Sequence, residues 1–220
     1  MLADTKSSAD GAPKARLSSP ERRAAIVTAA MILFARNGFK GTTTREIAGA
    51  VGVSEPVLYQ HFATKRDLYT AIVDQMVAEA GREFDAAFSQ LDPASDAVTF
   101  FTWVGNAVID WYSNHNEHIR LLLFSALEGH DLAEMWHEKA TTPFLSVVEQ
   151  GIISRQEKGF LLGVDAMVAA RGFIGMVAHY GLSTTLFGMS VPGLSYRQAV
   201  DQFVELYLSG FRPRLQEGLR

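Results

Sequence analysis

Between Thr42 and Lys65 the chain reads TTTREIAGAVGVSEPVLYQHFATK, and its polar side chains have the types and spacing needed to grip a nucleic acid. Thr44, Tyr59 and His61 can donate to phosphate oxygens. Lys65, in the first turn after Thr64, combines an ammonium with the free N–H groups of a helix N-terminus. Contacts of this kind position a protein on a duplex but read no sequence. Arg45 carries the planar fork that matches guanine O6 and N7, although the same fork can clamp a phosphate. Glu55 can accept from a cytosine amino group or simply favour its helix N-terminus, and Val57 can touch a thymine methyl.

Two short helices must present these groups. Thr43 and Glu46 have the spacing of a capping box, which starts a helix near Thr44, and Ile47, Ala48 and Val51 give that helix an apolar face. Gly52 ends it with a residue that tolerates a left-handed backbone. Ser54 is the next N-cap and Pro56 falls in a first turn, where a missing N–H costs nothing. Leu58 and Phe62 then turn inward, leaving Pro56, Val57, Tyr59 and Gln60 on other faces. A helix, a glycine turn and a second short helix form a helix-turn-helix, although the same pattern also describes an ordinary αα-corner.

The combination of Thr43-Thr44-Arg45, Gly52-Val53-Ser54, Leu58-Tyr59-Gln60-His61-Phe62 and Lys65 resembles the TetR family of transcriptional regulators over roughly residues 26–68. The resemblance implies that Arg45, Pro56, Val57, Tyr59, His61 and Lys65 sit at DNA-contacting positions, with Thr43, Thr44, Ser54, Glu55 and Gln60 beside them. Val57 stands where a small polar residue is common, which leaves the base step it meets open.

Composition supports a nucleic-acid face. The 220 residues carry a net charge of −4, yet residues 1–70 hold ten Lys or Arg against six Asp or Glu, and the rest ten against eighteen. A basic end on an acidic body suits a protein that meets DNA at one end. Hydrophobic residues make up 48% of the chain and there is no cysteine, so thiolate metal sites and disulfides are excluded. Apolar runs are broken by Asp110, Arg171 or His179 before reaching the ~20 residues of a membrane span, and a soluble, cytoplasmic protein is expected.

The remaining sequence reads as helices throughout, about nine in all, so the expected fold is all-α. A flexible arm spans 1–18, in which Lys14 and Arg16 could reach DNA. The helix-turn-helix domain spans 19–70, a helical ligand-binding and dimerisation domain 71–212, and a tail 213–220. The first helix should start with Ser19 as N-cap and Pro20 in its first turn, bury Ile26, Ala30, Leu33 and Phe34, and end at Asn37-Gly38, with Phe39 as a core plug. Thr64 and Asp67 cap a long helix with the stripe Leu68, Ile72, Met76 and Ala80, ending near Ser89. Further helices are expected over 93–114, 117–127, 131–158, 164–186 and 196–211. Pro143 should kink or split the third of these and open space beside it.

Aromatic residues crowd the middle helices and are either plain core or the lining of a cavity. The resemblance implies an apolar small-molecule effector, with Trp103, Asn106, Trp111, Tyr112, Phe144, Arg171, Phe173 and His179 as candidate contacts. His115 and His118, and likewise His130 and His137, could each share a helix face, but no further ligand completes a metal site from sequence; no metal and no cofactor is expected. Gly172 and Gly175 would let a partner helix approach, and Val200, Phe203, Val204 and Tyr207 form a stripe that fits either an intrachain core or the two-fold dimer the resemblance implies. The function read from the sequence is a dimeric, ligand-responsive regulator, on analogy a repressor released from a near-palindromic operator. A DNA-binding regulator with no small-molecule ligand is the alternative. A helical enzyme is the remote alternative and is not expected, because the sequence has no cysteine, no serine in a strained glycine-rich elbow and no phosphate-cradling loop.

Overall fold

The computed structural model describes residues 17–92, 94–129, 131–159, 161 and 164–210. Most of the expected arm and tail, with Lys14 and Arg16, lies outside them, as do Pro93, His130, Gly163 and Phe211. The chain is all-α. Its helices are α1 (Ser19–Asn37), α2 (Thr44–Val51), α3 (Glu55–His61), α4 (Lys65–Phe88), α5 (Ala97–Asn114) and α6 (Asn116–Glu128), followed by α7 (Leu132–Trp136), a π-helical turn (His137–Thr141), α8 (Thr142–Glu157), α9 (Ala166–Phe187) and α10 (Tyr196–Ser209).

Local chemistry sets most of the boundaries. Thr43 and Glu46 form the expected reciprocal cap, with Thr43 N–H donating to Glu46 Oε2 at 2.7 Å. Thr64 and Asp67 do the same for α4. At α1 the cap is Ser18 rather than Ser19, because Glu21 closes the box with the residue three before it. Helix α5 starts at Ala97, later than the expected 93, because Asp96 accepts from Thr99 N–H at 2.7 Å. Gly52 ends α2 with φ 73° and ψ 33°, the left-handed conformation. Ser54 occupies the N-cap of α3, yet its side chain makes no cap hydrogen bond.

The stretch from Leu132 to Glu157 is one helical run interrupted by the π turn, where Thr142 N–H donates to His137 O, five residues back. Pro143 follows immediately and has no N–H to continue an i→i−4 ladder. Widening the turn ahead of it accommodates the ring without breaking the helix. The sequence-based expectation of a disruption at Pro143 is thus met by a π turn.

Packing divides into two main cores. The first holds Ile26, Phe34, Ile47, Leu58, Leu68, Ile72 and Met76 from α1–α4, together with Leu121 of α6 and Leu132 of α7. Leu121 and Leu132 are both fully buried, and each contributes roughly 1.5–3 kcal/mol by leaving water. Polar ties cross the same joint. The Glu128 carboxylate accepts from the N–H groups of Phe39 and Lys40 at 3.2 and 3.3 Å, and Arg120 donates to Ala35 O at 3.1 Å. The pairs Arg66–Asp131 and Lys139–Asp74 are exposed and worth about 0–1 kcal/mol each. Apolar burial therefore dominates the joint.

The second core joins α5, α8, α9 and α10 around Phe101, Val104, Ile152, Phe173 and Val200. Arg155 is buried at its edge, donating to Gly151 O and Ser95 Oγ at 2.9 and 2.8 Å with its guanidinium 4.0 Å from the Phe100 ring centre. Burial lowers its pKa, with the Asp96 carboxylate acting in the opposite sense.

Close approach between α5 and α9 depends on Gly181, where an added Cβ would meet Tyr112 Cβ at 2.7 Å and Cγ at 2.9 Å. These atoms are close to the backbone and have little freedom to move. Gly181→Ala is expected to lower unfolding free energy by about 1–3 kcal/mol in chemical denaturation. Gly49→Ala, mid-helix with open space around it, should raise it by about 0.5–1 kcal/mol.

Candidate functional site

The exposed surface of α2 and α3 carries a connected polar set. Thr44 Oγ1 donates to Glu55 Oε1 at 2.6 Å, and Tyr59 OH stands 3.4 Å from Thr44 Oγ1. Arg45 Nε lies 3.7 Å from Glu55 Oε2, with the arginine side chain 88% exposed. Glu55 therefore ties the start of α3 to the start of α2, a role its possible base contact did not anticipate. Arg45, Pro56, Tyr59 and Gln60 are exposed, and Thr44, Val57 and His61 are half-buried. Behind them Leu58 and Phe62 are buried, as their spacing requires. Thr42, absent from the sequence expectations, is buried and donates to Gly38 O at 2.9 Å, closing the turn that leads into α2.

Lys65 departs from its expected role. Its ammonium turns inward, donating to Phe39 O and to Thr42 O, the latter at 2.6 Å, and lies 4.0 Å from the Phe39 ring centre. Two carbonyls and an aromatic face outcompete solvent for the charge. Burial lowers the pKa of Lys65, while Glu128 and Glu46 act in the opposite sense. At this point the N-terminus of α4 is exposed at Thr64 and Arg66, and a helix N-terminus favours anions.

In the body, a cavity of ≈130 Å³ is walled by Trp111, Tyr112, Trp136, Phe144 and Ile174, and reaches the π turn at Ala140 and Thr141. A second, of ≈220 Å³, lies between α4 and α8 against Gly81, Phe88, Lys139 and Pro143. Phe84, Ala140 and Phe144 line both. The rings of Phe84 and Phe144 stack at 4.6 Å and 20°. Of the expected ligand contacts, Trp111, Tyr112 and Phe144 are here. Trp103 is not: its indole N–H donates to Ala87 O at 2.9 Å, anchoring the end of α4. Phe173 is fully buried in the second core, Arg171 and His179 are exposed, and Asn106 lines neither cavity. Phe84 was missed although it extends the stripe Leu68, Ile72, Met76, Ala80 by one more step of four.

The expected dimer residues also divide. Val200 and Val204 are buried in the chain's own second core, and Tyr207 donates to Ala169 O at 2.6 Å. Gly105 opposite Val200 lets α10 seat so deeply that an added Cβ would meet Val200 Cγ1 at 2.6 Å. Gly172 and Gly175 are exposed and Phe203 is half-buried. Val168 of α9 and Leu206 of α10 are each about two-thirds exposed.

Residues 26–72 match the sequence profile described as bacterial regulatory proteins, tetR family. Over that stretch the chain resembles the TetR family of regulators. Among its relatives, the transcriptional activator FasR of Mycolicibacterium smegmatis is 44% identical over 62 residues, 28% of either chain. The first relatives are thus matched over little more than a quarter of their length. The transcriptional repressor KstR2 of the same organism is 26% identical over 153 residues, 64% of this chain and 70% of the relative. A crystal structure of AibR in complex with isovaleryl coenzyme A and operator DNA shares the fold, with TM-score 0.66 and 21% identity over 84% of this chain and 97% of that one. Among the described residues no helix is long and apolar enough to cross a membrane.

The inward Lys65 gives a test that separates its two roles. Lys65→Met should cost about 1–2 kcal/mol of unfolding free energy in urea, because two carbonyls lose a charged donor. A lysine that served only to meet a phosphate would change stability by no more than about 0.5 kcal/mol.

Proposed function

We propose that this chain is a homodimeric transcriptional regulator that reads a near-palindromic operator with α3 and is released from it by an apolar or aromatic small molecule. The observation that carries the reading is the set Thr44, Arg45, Glu55 and Tyr59, held in one surface network across α2 and α3 while Leu58 and Phe62 hold α3 from behind. An ordinary αα-corner has no need of such a set. Arg45 reads a guanine, and Tyr59, Thr44, His61 and the N-terminus of α4 hold phosphates. Thr43, Ser54, Pro56, Val57 and Gln60 complete the DNA-facing surface. The regulator works in the cytoplasm, where its operator lies, and is not an enzyme.

Release as a repressor, rather than activation, follows KstR2, matched over 153 residues, in preference to FasR, matched over 62. The effector site is the aromatic cavity at Trp111, Tyr112 and Phe144. A regulator with no small-molecule effector is the second reading, favoured by the size of that cavity: ≈130 Å³ is below the roughly 300–1,000 Å³ of typical ligand sites.

Dimerisation uses α9 and α10, through Val168, Gly172, Gly175 and Leu206, which are exposed, and Phe203, which is half-buried. A two-fold axis there would set two α3 helices about 34–36 Å apart, or a multiple of it, to match successive half-sites. Gly175→Arg, placed in open space on the single chain, should halve the mass measured by light scattering after gel filtration. A dimer that survives this charge would move the interface elsewhere.

Fluorescence anisotropy on DNA flanking the protein's own gene, with scrambled competitor, tests the reading itself. Affinity should fall with salt, and Arg45→Ala should weaken specific binding by about 1–3 kcal/mol, or roughly 5- to 150-fold, while lowering discrimination. Tyr59→Phe should weaken specific and non-specific binding alike. Binding indifferent to sequence in both the wild type and a selection from random DNA would refute operator recognition.

A further inference from the structure

Outside the reading face and the aromatic cavity, α4 meets the α5–α6 junction at a cluster of imidazoles and carboxylates. Glu79, His115 and His118 each offer one ligand atom, and the three atoms lie within 4.8 Å of one another. His118 Nε2 stands 3.6 Å from Glu79 Oε2. That is long for a hydrogen bond, yet close to the roughly 3.3 Å that separates two ligands of a tetrahedral ion with bonds of about 2.0–2.1 Å. The two imidazole rings lie parallel, 8° apart, with centres at 4.8 Å.

Two further features fit an ion better than plain packing. His118 is only 4% exposed, and the nitrogen it turns to Glu79 is Nε2, so an ion between the two would be held by a ring fixed in the packed interior. Glu83, one turn beyond Glu79, holds His115 Nε2 at 2.9 Å, the carboxylate support that ligating histidines use to fix their orientation. The cluster borders a cavity of ≈290 Å³ that also includes Asn114 and Glu117, room for an ion and its waters.

We propose that Glu79, His115 and His118 bind one divalent transition-metal ion of the zinc and nickel class, with Glu83 positioning His115 and water completing the coordination. Two imidazoles with one carboxylate suit these ions, whereas magnesium and calcium favour all-oxygen sets. Bound there, the ion ties α4 to the α5–α6 junction. The site does not depend on the DNA reading. It also has a built-in reporter, because Trp111 packs on His115 with ring centres 4.0 Å apart.

The experiment uses the full chain, stripped with a chelator and dialysed. Zinc sulfate is titrated by calorimetry with magnesium chloride as control, and nickel chloride is followed by tryptophan fluorescence. The expected result is one zinc per chain, no heat from magnesium, and quenching by nickel that saturates at the same stoichiometry. Glu79→Gln keeps the side chain's shape and should weaken zinc binding about tenfold or more, as should His115→Gln, with circular dichroism confirming that both variants are folded. Absence of zinc binding by the wild type, or wild-type affinity in both variants, overturns the proposal.

Discussion

Helix α4 is a single uninterrupted rod, and the chain's three chemically distinctive regions are all fixed relative to it. Its 24 residues span about 36 Å at 1.5 Å per residue. Leu68, Ile72 and Met76 bury its first half against α1 and the helix-turn-helix. Ala80 packs with Trp111 and Ile119, and Phe84 faces the cavities. The same apolar stripe therefore belongs to the head at one end and to the body at the other. Packed helices repack between discrete arrangements rather than flexing continuously, so a displacement at Phe84 must be carried along the rod or absorbed by its neighbours.

Which parts were legible in the sequence follows from how far apart the deciding residues lie. Capping boxes at Thr43 and Thr64, the glycine turn at Gly52 and the stripe of α4 are settled within a few residues, and each is found where its pattern requires. Lys65 was misjudged because the carbonyls that claim its ammonium lie 26 and 23 residues away. Glu83 reaches His115 across 32 residues, so the histidine pair looked incomplete when read locally. Helix α9 was opaque for another reason. Its sequence is apolar on almost every side, so periodicity could not tell that Phe173 and Val177 face the core while Arg171 and Gly175 face outward. The stripe of α10 was visible, but a stripe does not name its partner, and Gly105 draws Val200 into the chain's own core.

Pro143 shows a local signal with a non-local consequence. The π turn ahead of it closes its hydrogen bond over five residues where an α-turn would use four, and Ala140, Thr141 and Phe144 line the cavities beside it. Both cavities lie along this stretch. Regular α-helix packed at ordinary density leaves few voids larger than a water molecule, so the irregular turn and the unfilled space beside it have a common origin.

The same turn bears on how an effector would act. The stacked Phe84–Phe144 pair lines both a ≈130 Å³ cavity and one of ≈220 Å³. Either alone falls short of the roughly 300 Å³ at which ligand sites begin, so a larger ligand would have to part the two rings to use both. The two rings are not equally free to move. Phe144 follows the π turn and a proline that donates no backbone hydrogen bond, while Phe84 sits on a regular helix whose first half is locked into the head. A small ligand would therefore be accommodated by α8 and would leave α4, and with it α3, in place. Only a ligand large enough to exhaust that compliance would press on α4. Linkage then requires that such a ligand bind less well to the DNA-bound arrangement by the same factor by which it weakens DNA binding. For an effector in this space, size more than affinity would then decide whether the head responds.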